Sequence, residues 1–216
     1  MPCTNNCCCA FENAFDEDYV EGDLKDYQKH GPSKSTLALL RAVQSLTAVR
    51  DATVLDIGGG VGAVQLELLK AGARSTFDVD GSPAYIAAAK REFERLGFAD
   101  RAGFLHGDFA QVANVVETAD IVTLDRVICC YPDMHSLVNA AAQKTRKVMG
   151  LVWPREAWWT HAGIKVFNLF QRMSRYPLVQ TLHAQPEVDA VAGAYGLVMK
   201  RTQNVGFWQV RVYARH

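Results

Sequence analysis

No run of 18 or more apolar residues occurs in the 216 residues, so the sequence offers nothing long enough for a membrane-spanning helix. The start of the chain has no basic segment followed by an apolar one, and a cytoplasmic protein is the expectation. An excess of one charge is missing too. The 23 Lys and Arg balance 23 Asp and Glu, which removes the basic surplus that steers a protein toward nucleic acid. No internal repeat and no long linker divides the chain. The six cysteines are not spread as a disulfide framework: Cys3, Cys7, Cys8 and Cys9 crowd the N-terminus, leaving Cys129 and Cys130. The N-terminal four also lack the C-x2-C spacing and distant second pair of a structural zinc site. They read as a flexible, oxidation-prone tail with no metal, or else as thiolates for a soft metal or metalloid.

What the chain does have is 49% hydrophobic residues, enough over 216 positions for one domain with a substantial core and too few for two large ones. Its charge is unevenly spread. Residues 11–23 carry six acids and no Lys or Arg, whereas residues 144–216 carry eleven Lys or Arg against three acids. Surface solubility accounts for such a pattern, and so does a positive rim for an anionic substrate.

The most informative stretch is Val54-Leu55-Asp56-Ile57-Gly58-Gly59-Gly60-Val61-Gly62, an apolar strand that runs into a glycine-rich turn. Glycines tolerate positive φ and admit a ligand closer than a Cβ allows. An amphipathic helix follows, with Val64, Leu66, Leu68 and Leu69, and stops at Gly72. Strand, turn and helix together open a dinucleotide-binding βαβ unit, and Gly58, Gly60 and Ala63 fit its loose fingerprint. An NAD-linked oxidoreductase is therefore one reading. It would set a pyrophosphate against the helix N-terminus, yet a carboxylate at Asp56 would repel phosphate while attracting an ammonium or sulfonium group. S-adenosylmethionine carries both of those cations, a ribose diol and an adenine, and no phosphate.

Later strand ends agree with that ligand. Thr76-Phe77-Asp78-Val79-Asp80 is a second strand whose final acid can accept both ribose hydroxyls; Gly81, Ser82 as N-cap and Pro83 as first helical residue follow it. Phe104 to Phe109 reads as a third strand, with Asp108 placed for the adenine amino group and Phe109 for the ring face. Asp120 to Asp125 is a fourth, again ending in an acid. Acids on successive strand ends mark the edge at which open α/β sheets bind ligands.

Asp56-Ile57-Gly58-Gly59-Gly60-Val61-Gly62, Val79-Asp80 with Ser82-Pro83, Gly107-Asp108-Phe109 and Asp120 to Asp125 resemble, in order and spacing, the class I S-adenosylmethionine-dependent methyltransferases. The resemblance implies an α/β, Rossmann-like three-layer sandwich with a seven-stranded, mostly parallel sheet. Within it, residues 24–216 form one methyltransferase domain: a helical cap over 24–49, a cofactor-binding core over 50–155, and a helical insertion after strand five with the last strands over 156–216. Residues 1–23 are expected to be a flexible, Cys-rich and acidic segment. The cofactor implied is S-adenosyl-L-methionine, with Asp56, Gly58, Gly60, Gly62, Asp80, Gly81, Asp108, Phe109, Asp125 and Arg126 as its contacts. Gly81 departs from the family, which usually places an apolar side chain against the adenine there.

In the cap, Gly31-Pro32-Ser33 precedes a helix with Leu37, Leu40, Val43 and Leu46 on one face. Just before it, Tyr27 and Lys29 suit the methionine end of the cofactor, Lys29 pairing its α-carboxylate; a solvated loop is the alternative. After strand four, Tyr131 and His135 are the candidates for orienting or deprotonating the acceptor. His135 has the pKa for general-base work, or simply stands exposed on a helix capped by Asp133. Lys147 to Pro154 gives a fifth strand. Trp158, Trp159, Ala162, Val166, Leu169, Phe170 and Met173 then recur at helical spacing. They form a packing stripe, a lid over a large apolar acceptor, or a face resting on a membrane with Lys165, Arg172 and Arg175 outside. A helix over 186–195 and strands over 197–205 and 207–214 complete the sheet.

Tyr131-Pro132, the late helix and the hairpin from Arg201-Thr202 to Phe207-Trp208 loosely resemble the magnesium-protoporphyrin O-methyltransferases. That family tends to carry His before Tyr-Pro, where this chain has Cys130. The expected activity is methyl transfer to a small-molecule acceptor, apolar or aromatic, with a carboxylate among the options. No nucleic-acid partner and no more than peripheral membrane contact are expected.

Overall fold

The computed structural model describes residues 11–12, 14–173 and 179–215, so the thiol cluster at Cys3, Cys7, Cys8 and Cys9 lies outside the described residues. Seven strands form one sheet: β1 (Thr53–Ile57), β2 (Ser75–Asp80), β3 (Ala102–His106), β4 (Ala119–Asp125), β5 (Thr145–Pro154), β6 (Leu197–Val205) and β7 (Trp208–Arg215). Their order is β3-β2-β1-β4-β5-β7-β6, all parallel except β7, which runs antiparallel to β5 and β6. A two-residue turn permits that reversal, with Val205 paired to Trp208 and Gly206 at φ 58 between them.

The helices are α1 (Glu17–His30), α2 (Lys34–Gln44), α3 (Ala63–Lys70), α4 (Pro83–Arg95), the single turn α5 (Phe109–Val112), α6 (Met134–Lys144), α7 (Trp158–Met173) and α8 (Gln185–Gly193). One sheet face packs Val54, Ile121, Val148 and Val212 against Leu39 and Val43 of α2, Leu66 of α3 and Phe93 of α4. The other packs Leu55, Ile57, Leu124 and Tyr213 against Leu137 and Val138 of α6 and Val188 of α8. Side chains alternate along a strand. Asp56 therefore shares the face of Val54, and its register partners are Asp78 in β2 and Thr123 in β4. An otherwise apolar layer thus ends, at the carboxyl edge of the sheet, in a buried polar stripe.

Helix starts follow their caps. Ser33, Ser82 and Asp133 each accept a hydrogen bond from the amide three residues on, and Pro83 opens α4. Two expectations are corrected. The third strand spans 102–106 rather than reaching Phe109, because the Asp108 side chain accepts from the Ala110 amide and starts a helical turn instead. The acidic stretch up to residue 23 is not a loose segment either. From Glu17 onward it is helical, capped by Asp16, and it buries Val20 and Leu24.

Candidate active site

The crossover leaves β1 toward β2 on one side and toward β4 on the other, and a cavity of about 360 Å³ opens at the carboxyl edge where the two directions part. The glycine turn is its floor. Gly58 and Gly60 take φ 66 and 59, and three successive amides are tied to β2: Gly58 N to Val79 O at 2.8 Å, Gly59 N to Asp78 Oδ1 at 3.1 Å, and Gly60 N to Asp80 Oδ2 at 3.0 Å. A Cβ on Gly59 would lie 2.6 Å from Gln65 Nε2 and 2.8 Å from Asp78 Oδ1, so no side chain fits there.

Beneath that turn sits a cluster that is costly to charge. Asp56 is 1% exposed, accepts from Thr123 Oγ1 at 2.6 Å, and leaves Oδ2 without a partner. Burial pushes its pKa up to about 7. Asp78, also fully buried, is raised by the same desolvation and by the neighbouring Asp80 and Asp56. The sequence places Asp56 at the strand mouth as a charged carboxylate that selects a cation; the structure keeps it among the lining residues but almost fully buried, where its charge is disfavoured. Asp78 was missed, although the same alternation that aims Asp80 inward aims Asp78 with it.

Asp80 closes the second strand with Oδ1 on the Ser82 amide at 2.8 Å, and burial raises its pKa. Gly81 beside it is covered by another part of the chain: a Cβ there would stand 3.0 Å from the ring of Phe11, which lines the cavity. Phe11 continues into an aromatic roof. Phe15 lies 6.4 Å from it, and Tyr19 and Tyr85 lie 5.6 and 5.2 Å from Phe15. Tyr85 Oη donates to Asp23 at 2.5 Å, and Glu12 faces His106 at 3.4 Å.

Asp108 and Phe109 both line the cavity, and Asp108 also receives the hydroxyl of Tyr131 at 2.7 Å. Two residues assigned separate tasks are thus one hydrogen-bonded pair. Asp125 is held by Thr36 Oγ1 at 2.5 Å and faces Arg126 Nε at 3.4 Å. Arg126 adopts φ 65, an uncommon backbone for a non-glycine residue. Its guanidinium stands 5.9 Å from the Trp208 ring, which walls the same side. Gln180 reaches this wall because Thr181 N donates to Cys129 O at 2.7 Å and His183 Nε2 lies 2.8 Å from Ile128 O. Cys130 is there as well. Its hydrogen bond with Cys129, Sγ to Sγ 3.7 Å, holds the Cys130 thiol below its ordinary value and Cys129 above it.

Four expected site residues are not brought to the cavity. Tyr27 continues the buried stripe of Val20 and Leu24 and donates to Glu67 Oε1 at 3.2 Å, while Lys29 is exposed in the last turn of α1. The residues of α1 that do line it are Tyr19 and Asp23, which precede the expected cap in the sequence. Gly62, at φ 82, lets α3 approach α4: a Cβ there would come within 2.4 Å of Phe93. His135 is exposed on α6 and away from the lining. Among the described residues no group of three or more His, Cys, Asp or Glu is placed to hold a metal ion, and no helix is long and apolar enough to cross a membrane.

Comparison with known proteins fits this geometry. Residues 54–148 match the family model of a methyltransferase domain. No curated protein matches the chain in sequence. Among solved structures, magnesium protoporphyrin IX methyltransferase from Synechocystis PCC 6803 with bound S-adenosylmethionine is 16% identical, with a TM-score of 0.71 over 100% of both chains. The same protein with S-adenosylhomocysteine gives 19% and 0.66, over 93% of this chain and 83% of that one. An O-methyltransferase family protein from Burkholderia thailandensis is 17% identical with a TM-score of 0.72, over 94% of this chain and 61% of that one. At these identities the solved structures establish the fold. The NAD-linked oxidoreductase reading finds no support among them.

A carboxyl with a folded pKa near 7 against an ordinary 3.8 binds its proton more tightly in the folded chain, so its stabilising effect is complete at low pH and lost as pH rises toward 7. Asp56→Asn should therefore be stabilised relative to the parent by about 2 kcal/mol more at pH 7 than at pH 5, Asp78 keeping its own share of the slope. Denaturant midpoints measured across that range check it; parallel slopes for the two proteins would refute the burial of Asp56.

Proposed function

We propose that this chain is a class I S-adenosylmethionine-dependent methyltransferase and that it methylates a carboxylate oxygen of an apolar or aromatic small molecule. One observation carries the acceptor: Arg126 brings a guanidinium over the Trp208 ring at the cavity wall, pairing a cation with a flat apolar surface. A planar carboxylate suits a guanidinium fork, and an aromatic body suits the indole.

The residues present fit the cofactor. The turn amides of Gly58, Gly59 and Gly60 are committed to β2, so the floor offers backbone without Cβ rather than free donors for a pyrophosphate. Asp80 lines the cavity as a carboxylate for a diol, Asp108 with Phe109 and Phe11 as walls for a purine, and Asp23 and Tyr19 as polar groups over the cationic end. Bound S-adenosylmethionine supplies an electrophilic methyl on a sulfonium.

A carboxylate acceptor is already ionised at neutral pH, so no general base is called for. The chain's task is to hold the acceptor oxygen in line, and alignment of this kind is worth on the order of 7–11 kcal/mol. Tyr131, fixed by Asp108, orients the acceptor beside Cys130 and Gln180. Phe11 stands in for the side chain that Gly81 lacks, as an adenine wall supplied from another part of the chain.

Transfer of label from S-adenosylmethionine to a panel of aromatic carboxylates, phenols and thiols tests the reading. Arg126→Gln should raise KM for a carboxylate acceptor roughly ten- to a hundredfold, the worth of a charged hydrogen bond, while S-adenosylhomocysteine affinity moves less than threefold. Labelled phenols with untouched carboxylates would contradict it. For the adenine wall, Phe11→Ala should weaken S-adenosylhomocysteine binding roughly tenfold by calorimetry, the worth of one aromatic contact. Gly81→Ile added to Phe11→Ala should recover it, and failure of both effects removes Phe11 from the site.

A further inference from the structure

Helix α7 turns its apolar side outward. Within Trp158–Met173 only Thr160 and Ile164 are buried, whereas Trp158 is 83% exposed, Met173 73%, Phe170 62%, Leu169 59% and Val166 55%. At 100° per residue these five side chains fall within one arc of about a third of the helix circumference. The helix is not free to roll this face inward. Asn168 donates to Gln180 O at 2.7 Å and accepts from Gln180 N at 2.9 Å, and Trp159 packs 6.1 Å from Phe207. Exposed apolar area of this extent, in one contiguous arc, marks a contact surface.

Charge selects the partner. Lys165 and Arg172 line one border of the arc, and Trp158–Met173 contains no acid at all. A second copy of the chain docked antiparallel, helix to helix, would face cations with cations. A layer of anionic headgroups over acyl chains meets both features at once, apolar face downward and cations at headgroup level. We propose that α7 docks this protein on an anionic lipid surface. The aromatic contacts from Trp159 to Phe207 and from Phe207 to Trp208, at 6.1 and 5.1 Å, lead from that face to the cavity wall. Docking rests on the helix alone and would stand even if the methyl acceptor proved polar.

Flotation of the full chain with phosphatidylcholine vesicles, and with vesicles that also contain phosphatidylglycerol, tests this. The chain should float with the anionic vesicles and progressively less as salt rises. Leu169→Glu with Phe170→Glu should abolish flotation, and Lys165→Gln with Arg172→Gln should weaken it roughly fivefold per cation removed. S-adenosylhomocysteine calorimetry on each variant reports retained folding, and the surface cation pair carries the test if the double glutamate misfolds. Absence of flotation with either vesicle at low salt overturns the proposal. So does flotation unchanged by both variants. A dimer in sedimentation equilibrium that the double glutamate dissolves, without vesicle binding, assigns the face to a second copy instead.

Discussion

Three backbone amides in a row, those of Gly58, Gly59 and Gly60, donate to β2, and the cavity is arranged around that clamp. Two of the three acceptors are the carboxylates of Asp78 and Asp80, which alternation along β2 aims at the same face as Asp56. The clamp fixes a turn with no side chain in it, and it keeps a buried acid cluster alive by giving two of its members amide partners. Burial dominates at Asp56, where the Thr123 hydroxyl offsets only part of the desolvation, and it holds the proton up to about pH 7. A turn whose donors are already used is a poor phosphate cradle and a good floor for a neutral or cationic ligand.

The cofactor half of the site was legible because its signals are local. A glycine turn, an acid at the end of β2 and a Ser-Pro helix start each act within a few residues, and the sheet then brings them to one edge. The parts that failed depend on packing between distant segments. The buried face of α1, Val20, Leu24 and Tyr27, follows apolar i, i+4, i+7 spacing, but only the packing shows that Tyr19 and Asp23 face the cavity in place of Tyr27 and Lys29. Tyr131 meets Asp108 across a separation of 23 residues, and Trp208 arrives from the last strand. Gly62 looked like part of the ligand turn and is a helix-packing glycine. Phe11 covering Gly81 joins segments about 70 residues apart, a contact that no local pattern announces.

The two ends of the molecule carry opposite charge for separable reasons. The acidic residues of α1 include Asp23, bound to Tyr85 in the roof, while Glu21 pairs with Arg91 on α4, so that end is tied to the fold. The basic back half holds Arg211, which is buried and paired with Asp189, but also the cations bordering α7, which have no acid within that helix. Arg126 stands where these halves meet, with the aromatic roof on one side and Trp208 on the other. That wall is aromatic and positively charged, the pairing on which the proposed acceptor rests.

On the proposed reading, the glycine turn, with its amides committed to β2, receives S-adenosylmethionine rather than a dinucleotide. Calorimetric titration of the full chain with S-adenosylhomocysteine and, separately, with NAD measures this directly. Saturable micromolar binding of S-adenosylhomocysteine and no heat with NAD are expected. Silence toward S-adenosylhomocysteine at millimolar ligand, or saturable binding of NAD, would contradict it.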